Sequence, residues 1–249
     1  MLEGLIGLLV HYARSSDQSI RSLIQESHFM TIFIGILNIH SQWRAKQRAA
    51  LGLKYLSQSA HTQVATGDLE PQPPRGFCAP LVLICGKASM PSLCPIHNAS
   101  CEENSSFCLL KGNAIGPLVE LLNDKNTDVQ IAAVEALFTL VLDPQSLTNS
   151  REVLEQLDLF DTAVTLFKKS RPGELQERII SMVDRFLRIE SLIQSYSLDQ
   201  DLVRALVEAL KHGTTNTKRH AQDILTNLRE LSGVGGRTSN HSRGRRTNR

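Results

Sequence analysis

The chain has 249 residues, enough for one or two domains, and a formal net charge of only +2. Hydrophobic residues make up 41% of the sequence and aromatic residues 5%, which indicates a core of Leu, Ile, Val and Ala and favours helices over sheets. The apolar run "FMTIFIGILNI" covers about eleven of the roughly 18 residues that a membrane-spanning helix requires. A membrane partner is therefore not expected.

The cysteines and the first residues indicate the compartment. The five cysteines are an odd number and lie between Cys78 and Cys108, which argues against a secreted disulfide framework. The start, "MLEGLIGLLVHYAR", has an acid where a signal peptide has positive charge. We therefore expect the protein in the cytoplasm, the nucleus or both.

Amphipathic helices are predicted in residues 1–66, with apolar residues three and four positions apart on one face. These are Leu5, Leu8, Leu9 and Tyr12 in the first helix and Ala49, Gly52, Leu53 and Leu56 in a later one. The first helix begins so close to Met1 that no leading helix precedes it. We expect its apolar face to be open, because the native protein is longer or because another segment covers it.

Residues 67–108 interrupt the helical pattern. The stretch "GDLEPQPPRGF" contains three prolines and is typical of a loop. The cysteine-containing stretch that follows is either an insertion or a degenerate repeat. The spacing of the flanking helices slightly favours the degenerate repeat.

Cys94, His97 and Cys101 of this region are weak candidate zinc ligands, with the spacing C-x2-H-x3-C. The fourth ligand that zinc requires could be Cys78, Cys85 or Cys108. The sequence has one compact trio rather than two close pairs, and Cys108 is typical of a small buried residue in a helix. Structural cysteines are therefore preferred, with a zinc site or reactive thiols as alternatives, and no cofactor is predicted.

Residues 109–232 repeat one pattern, which also occurs once upstream. A short apolar helix is followed by a polar turn and a longer helix with one apolar face, as in "GPLVELLNDKNTDVQIAAVEALFTLVL". From the end of the short helix to an equivalent position in the long helix, the chain advances by 15 or 16 residues. The pairs are Leu37 and Leu53, Leu122 and Leu137, Phe167 and Val183, and Leu210 and Leu225. Unrelated helices would not keep this offset.

The period of this pattern predicts an all-α helical-repeat superhelix, or α-solenoid. Its first apolar position recurs at 5, 49, 133, 179 and 221, a period near 42 if the gap of 84 counts as two. The motifs L-V-x-L-L and V-Q-x-A-A-x-x-A-L-x-x-L resemble the armadillo repeat. Residues 1–66 are then N-terminal repeats, the first one truncated, and 109–232 are C-terminal repeats.

Residues 233–249 are predicted to be a disordered basic tail. They contain five arginines and no acid, so the preceding 232 residues carry −3. A solvated tail is the preferred interpretation and a nuclear-localisation patch the alternative. No aromatic residue accompanies the arginines, so nucleic acid is not an expected partner.

Known catalytic motifs are absent from the sequence. It contains no G-x-S-x-G, phosphate loop, dinucleotide-binding glycine pattern or H-E-x-x-H, and its histidines are scattered. No catalytic residue is therefore predicted in this chain.

Several stretches together resemble the C-terminal region of plant U-box armadillo-repeat proteins. They are the armadillo pattern itself, "WRAKQRAALGLKYLSQS" and "SLCPIHNASCEENSSFCLLKGNAIGPLVELL", and the resemblance covers residues 29–232. It implies a ubiquitin ligase, whose U-box recruits the ubiquitin-conjugating enzyme and whose repeats bind a protein substrate or adaptor. No U-box is visible here, so the conjugating enzyme would be bound only by a U-box outside this chain.

In a superhelix of this kind the long helices line a concave groove that holds the partner. Counting from the apolar positions gives the candidate groove residues Arg48, Tyr55, Glu135, Thr139, Arg178, Arg185, His220, Asp223 and Asn227. Arg178 and Arg185 could pair with an acidic peptide, and Asn227 could hydrogen-bond its backbone. Plain solvated surface is the alternative for each of these residues.

Two functions of different classes follow from the sequence. The first is the partner-recognition region of a U-box-type E3 ubiquitin-protein ligase. The second is a stand-alone armadillo scaffold or adaptor without an enzymatic link. A zinc-bound regulatory module is a third and more distant hypothesis.

Overall fold

The computed structural model describes residues 2–38, 42–65, 93–101 and 107–237, in which every regular element is a helix. The chain divides into two units, Met1–Asp158 and Leu159–Arg249. The first contains α1 (Leu2–Ala13), α2 (Gln18–Glu26), α3 (Phe29–Leu37), α4 (Trp43–Ala65), α5 (Ile115–Leu121), α6 (Thr127–Phe138) with a 3-10 turn (Thr139–Val141), and α7 (Pro144–Gln156). The second contains α8 (Leu159–Lys169), α9 (Glu174–Phe186), α10 (Glu190–Tyr196), α11 (Gln200–His212) and α12 (Thr215–Arg237). The predicted all-α class is confirmed.

Short polar side chains start several of these helices. Asn126 accepts hydrogen bonds from the first backbone amides of α6, and Asp17 does so for α2. Asp143 caps α7 and is followed by Pro144 at the first helical position, where proline costs no hydrogen bond. Asp199 caps α11. The polar turns predicted between apolar helices are therefore helix starts.

The same backbone turn precedes α3, α5 and α8. A residue with left-handed φ stands there in each case: His28 (53°), Asn113 (56°) and Asp158 (55°). The residue just before the left-handed one donates its backbone amide to the carbonyl four residues before itself. The donors are Ser27, Gly112 and Leu157, and the acceptors are Leu23, Cys108 and Val153. Leu23 and Val153 belong to the preceding helices α2 and α7. The segment 108–112 therefore forms the same closing turn that follows α2 and α7.

The long helices of the first unit pack side by side in the order α1, α4, α6. Lys54 of α4 pairs with Glu135 of α6 at 3.0 Å, and Lys46 pairs with Asp124 at 3.3 Å. The predicted apolar faces of both helices are buried, from Ala49 to Leu56 and from Ala133 to Leu140. Helix α4 contacts α6 directly, and both interpretations of 67–108, an insertion or a degenerate repeat, stay predictions. Residues 66–92 of that segment lie outside the described residues.

Helix α1 packs through residues outside the apolar face identified in the sequence. Ile6 and Ala13 are buried against the rest of the unit, at 1% and 4% exposure. Leu5 and Leu8, which belong to the apolar face that was expected to be open, are 56% and 49% exposed. The helix "LEGLIGLLVHYA" is apolar on several sides, so its sequence does not select one face. The expected open apolar surface is present on α1.

The second unit is built on α9 and α12, which contact each other. The predicted core residues Ile179, Met182, Val183 and Phe186 are fully buried. Helix α12 continues to Arg237, so the first residues of the predicted tail at 233–249 are helical and residues from 238 onward lie outside the described part. No single helix among the described residues is long and apolar enough to cross a membrane, and one strongly bent pair, Thr127–Val141 with Pro144–Gln156, passes that test by length and composition only.

Candidate functional site

The candidate groove residues of α4 are already engaged within the first unit. The guanidinium of Arg48 donates to the backbone carbonyl of Glu3 in α1. The Tyr55 ring lies below the Arg14 guanidinium, 5.2 Å from ring centroid to Cζ, and 5.4 Å from the Lys54 ammonium. These contacts join α4 to its neighbours and leave Arg48 and Tyr55 half-buried.

The two candidates of α6 behave differently from each other. Glu135 forms the ion pair with Lys54, and both side chains are about one fifth exposed. Thr139 was predicted to face the groove, but it is 2% exposed and lies 2.7 Å from the Ser57 hydroxyl. Thr139 follows the buried Ala136 by three residues, so it lies on the same side of the helix, where α4 packs. Thr139 is a packing residue.

A buried carboxylate organises the corresponding surface of the second unit. Asp184 of α9 is 1% exposed, and its Oδ2 accepts from the Arg188 guanidinium at 2.8 Å. The Nδ1 of His220, on α12, lies 3.0 Å from the same oxygen. Asp184 and Arg188 were not predicted, although their i, i+4 spacing is a readable signal for an ion pair. Asp184, His220 and Asp223 form a cluster of potential metal ligands. Its buried member, Asp184, is already paired with Arg188.

The arginines predicted to meet a partner lie on the same helix as Asp184. The Arg178 side chain is 50% exposed and pairs with Glu174 at 3.6 Å. Arg185 is half-buried, and so is Asn227 of α12, whereas Asp223 is exposed. Glu177 accepts hydrogen bonds from Asn216 and Thr214, which lower its pKa. The structure thus brings Arg178, Arg185 and the α12 candidates onto two contacting helices, with charges of both signs.

A second concave region of this unit was not predicted. It has a volume of about 670 Å³ and lies between the end of α8 and α11, with Arg171, Arg204 and Glu208 among its lining residues. Gln176 also lines it, and its buried Oε1 has no hydrogen-bond partner among the described atoms. One loop and three helices (α8, α9 and α11) form this region, so no regular spacing in the sequence predicts it.

The structure assembles a cluster of three cysteines and one histidine in the first unit. One ligand atom from each of Cys94, His97, Cys101 and Cys108 lies within 4.8 Å of the other three. The measured separations are 3.7 Å between the sulfur atoms of Cys94 and Cys108, 3.9 Å from Cys94 Sγ to His97 Nδ1, and 3.2 Å from that nitrogen to Cys101 Sγ. The predicted trio therefore converges, and Cys108 is the fourth member.

The clustered groups shift one another's pKa. Hydrogen bonds with Cys101 and Cys108 lower the pKa of Cys94. Hydrogen bonding with Cys108 raises the pKa of Cys101. Burial lowers the pKa of His97, but hydrogen bonds with Cys108 and Cys94 outweigh it and raise the pKa to about 9.

His61 of α4 is a neighbour of this cluster that sequence reasoning missed. Its ring meets the ring of His97 edge-on, with centroids 4.7 Å apart. Burial, followed by the charge on His97, lowers the pKa of His61 to about 4, so His61 is neutral at pH 7. Nothing in the local sequence connects these two histidines, one of which lies before the interruption and the other within it.

Comparison with known proteins finds related sequences, although no family model matches the chain. The chain is 27% identical over 233 residues to U-box domain-containing protein 44 of Arabidopsis thaliana, covering 92% of this chain and 29% of that protein. It is 30% identical over 236 residues to U-box domain-containing protein 24 of Oryza sativa subsp. japonica, covering 92% and 28%. The chain therefore spans less than a third of the length of these relatives.

Solved structures identify the fold. A designed armadillo repeat protein in complex with the peptide (KR)4 superposes with a TM-score of 0.58 at 13% identity, over 96% of this chain and 85% of that one. An engineered protein from the Northeast Structural Genomics Consortium gives a TM-score of 0.50 at 16% identity, over 92% of each chain. The predicted family and fold are thus confirmed: the chain is a relative of plant U-box domain-containing proteins and has the armadillo fold.

Proposed function

We propose that this chain is the partner-recognition region of a U-box-type E3 ubiquitin-protein ligase. The observation that carries the proposal is its relation, over more than nine tenths of its length, to proteins named for their U-box. In such a ligase the U-box holds the ubiquitin-conjugating enzyme and the repeats hold the protein to be modified. A designed protein of similar fold binds a peptide, which supports peptide recognition by this architecture.

The long-helix surface of the second unit, made by α9 and α12, is the part that we assign to the partner. Arg178 pairs with Glu174 on its own helix, and the two side chains are 50% and 64% exposed. An exposed i, i+4 pair contributes roughly 0.3–0.5 kcal/mol, so this pair does not prevent a carboxylate of a partner from approaching Arg178. In the first unit, by contrast, Arg48 and Glu135 hold helices together. We propose that the partner presents an acidic, extended peptide to the second unit.

Charge reversal on α9 tests this assignment. Arg178→Glu with Arg185→Glu changes the charge by −4 on the proposed surface. Arg204→Glu with Lys211→Glu makes the same change on α11, where both side chains are more than half exposed. Partners are first captured from plant extract with the wild type and confirmed with purified protein. Their binding to the two variants is then compared. Loss with the α9 pair alone supports the assignment, whereas loss with the α11 pair alone places the partner on the other surface.

The ligase assignment requires a separate measurement. An antibody to residues 109–232 reports the size of the native protein in cells, and mapping of the transcript shows whether a U-box is encoded with it. A product far above 27.6 kDa that contains a U-box supports the ligase. A product of 27.6 kDa without a U-box would make the chain an armadillo adaptor. The same antibody reports whether the protein is cytoplasmic or nuclear, as we propose.

A further inference from the structure

We propose that Cys94, His97, Cys101 and Cys108 bind one structural Zn²⁺ ion, with the spacing C-x2-H-x3-C-x6-C. Zinc in structural sites takes four nitrogen or sulfur ligands at tetrahedral angles, and Cys3His is one of its usual ligand sets. The inference goes beyond partner recognition and does not depend on it. It rests on the arrangement of the four side chains.

The separations within the cluster match a tetrahedral site. Zinc bonds of about 2.3 Å to sulfur and 2.0–2.1 Å to nitrogen place two sulfur atoms about 3.8 Å apart and a sulfur and a nitrogen about 3.6 Å apart. The observed values are 3.7 Å for Cys94 to Cys108 and 3.9 and 3.2 Å for the two pairs that involve His97 Nδ1. The other three pairs lie within 4.8 Å, so shifts of about 1 Å or less would bring all four atoms to bonding distance of one ion.

The backbone already holds the first two ligands in place. The amide of Cys94 donates to the carbonyl of Ala99 at 2.9 Å, and the amide of Asn98 donates to the carbonyl of Cys94 at 2.7 Å. Asn98 has a left-handed φ of 49°, which closes this turn directly after His97. This closed turn already directs a thiol and an imidazole in one direction. Less conformational entropy is therefore lost when the ion binds.

Burial argues that the cluster is a site rather than a chance arrangement. Cys94 and Cys108 are fully buried and His97 is 6% exposed. Coordination through Nδ1 fixes the proton on Nε2 of His97, an atom that is buried and has no hydrogen-bond partner among the described atoms. The ring of His97 lies edge-on to the ring of His61, with centroids 4.7 Å apart. Zinc would thus fix the tautomer of a histidine that packs directly on α4.

The position of the site in the repeat explains what the ion would do. The turn at 108–112 has the same closing backbone hydrogen bond as the turns that follow α2 and α7. Cys108 stands where α2 has Leu23 and α7 has Val153, the residues whose carbonyls accept that bond. Zinc would tie this turn to the segment 93–101 through Cys94, His97 and Cys101. Four protein ligands leave no open position for substrate, which makes the role structural.

Metal binding has a defined proton balance. Three thiols are bound as thiolates and the imidazole is bound neutral, so the thiol protons are released and the occupied site carries −1. Affinity should therefore fall as the pH is lowered. Cysteine oxidation would compete with binding, since the same sulfur atoms are consumed, and the purification needs a phosphine reductant.

Metal analysis of the purified 249-residue chain tests the proposal. We expect one zinc per chain, and Co²⁺ in its place should give the visible absorption of a tetrahedral thiolate site. Cys101→Ser is the main variant because Cys101 is the least buried of the four, so the variant should still fold, as judged by its helical circular dichroism. It should lose most of its zinc. Cys85→Ser, which changes a cysteine that is not among the four proposed ligands, is the matched control and should retain one equivalent.

Two outcomes would overturn the assignment. One is a wild-type chain that contains no zinc and takes up no Co²⁺ while its thiols are reduced. The other is equal metal content in the Cys101→Ser and Cys85→Ser variants, which would place the metal elsewhere. His97→Gln supplies an independent check, because it leaves every thiol intact and should still lower the zinc content. A chelator should reduce the melting temperature of the wild type by several degrees and leave Cys101→Ser unchanged.

Discussion

The hydroxyl oxygens of Ser57 and Thr139 lie 2.7 Å apart in the interior of the first unit, where each residue is at most 2% exposed. The bond joins α4 to the end of α6, and Thr139 also donates to the backbone carbonyl of Ala136. With Lys54–Glu135 it fixes how two successive long helices meet across the interruption.

Replacement of Thr139 with valine should destabilise the protein by about 1–2 kcal/mol. The change keeps the shape but leaves the buried Ser57 hydroxyl without this partner. Thr226→Val is the control, because Thr226 makes a similar bond to its own helix in an exposed position. Urea unfolding followed by circular dichroism gives both values. The double variant Ser57→Ala/Thr139→Val should cost less than the two single changes added together, and simple additivity would contradict the pairing.

Two glycines on adjacent helices should respond in opposite ways to alanine. A Cβ added at Gly52 of α4 would overlap the Phe33 ring of α3, so Gly52→Ala should cost roughly 1–3 kcal/mol. Gly35 of α3 has no heavy atom within 4 Å of an added Cβ, and Gly35→Ala should stabilise its helix by up to about 1 kcal/mol. Thermal melting of the two variants provides the comparison. Equal shifts would show that α3 and α4 do not approach at Gly52.

The core of the second unit should depend strongly on Phe186. Its side chain is fully buried, and its ring packs edge-on against Phe160 with centroids 4.7 Å apart. Phe186→Ala should reduce the free energy of unfolding by about 3–5 kcal/mol, because it removes the ring and leaves a cavity. Leu198→Ala removes a side chain that is 91% exposed and should change it by less than about 0.5 kcal/mol. A small effect of Phe186→Ala in the same urea titration would mean that α8 and α9 are not packed as described.

Asp199 should make the second unit less stable in acid. Burial raises its pKa, but hydrogen bonds from Lys168 and from the backbone of Leu202 outweigh burial and hold the pKa below its ordinary value of 3.8. Since the folded pKa is the lower one, the stabilisation is complete above 3.8 and is lost as the pH falls through the folded value.

Asp199→Ala should therefore cost about 1 kcal/mol at pH 7 and progressively less as the pH falls below 3.8. Asp201→Ala is the control, because Asp201 is exposed and pairs only with Arg204 on its own helix. Melting temperatures of both variants from pH 7 to pH 2.5 provide the test. A constant difference between wild type and Asp199→Ala over that range would contradict the role of the charge.

The amino-acid sequence by itself determined the repeat. Apolar spacing within a helix and the 15- or 16-residue offset between helices are local properties, so the core positions of α4, α6 and α9 could be predicted. The same holds for the family, because the motifs that carry the resemblance lie within short stretches. Asp184 and Arg188 could also have been found, since i, i+4 partners are adjacent on a helix surface.

Only the tertiary structure decided which residues from distant segments meet. The face of α1 was settled by packing on α4, because a helix that is apolar on several sides has no preferred face of its own. Thr139, which was predicted to face the groove, is buried because α4 packs on the side of the helix that Thr139 shares with Ala136. The convergence of Cys108 on Cys94, His97 and Cys101, and of His61 on that group, depends on how the chain returns to α4 after the interruption. Periodicity describes one element at a time and carries no information about such returns.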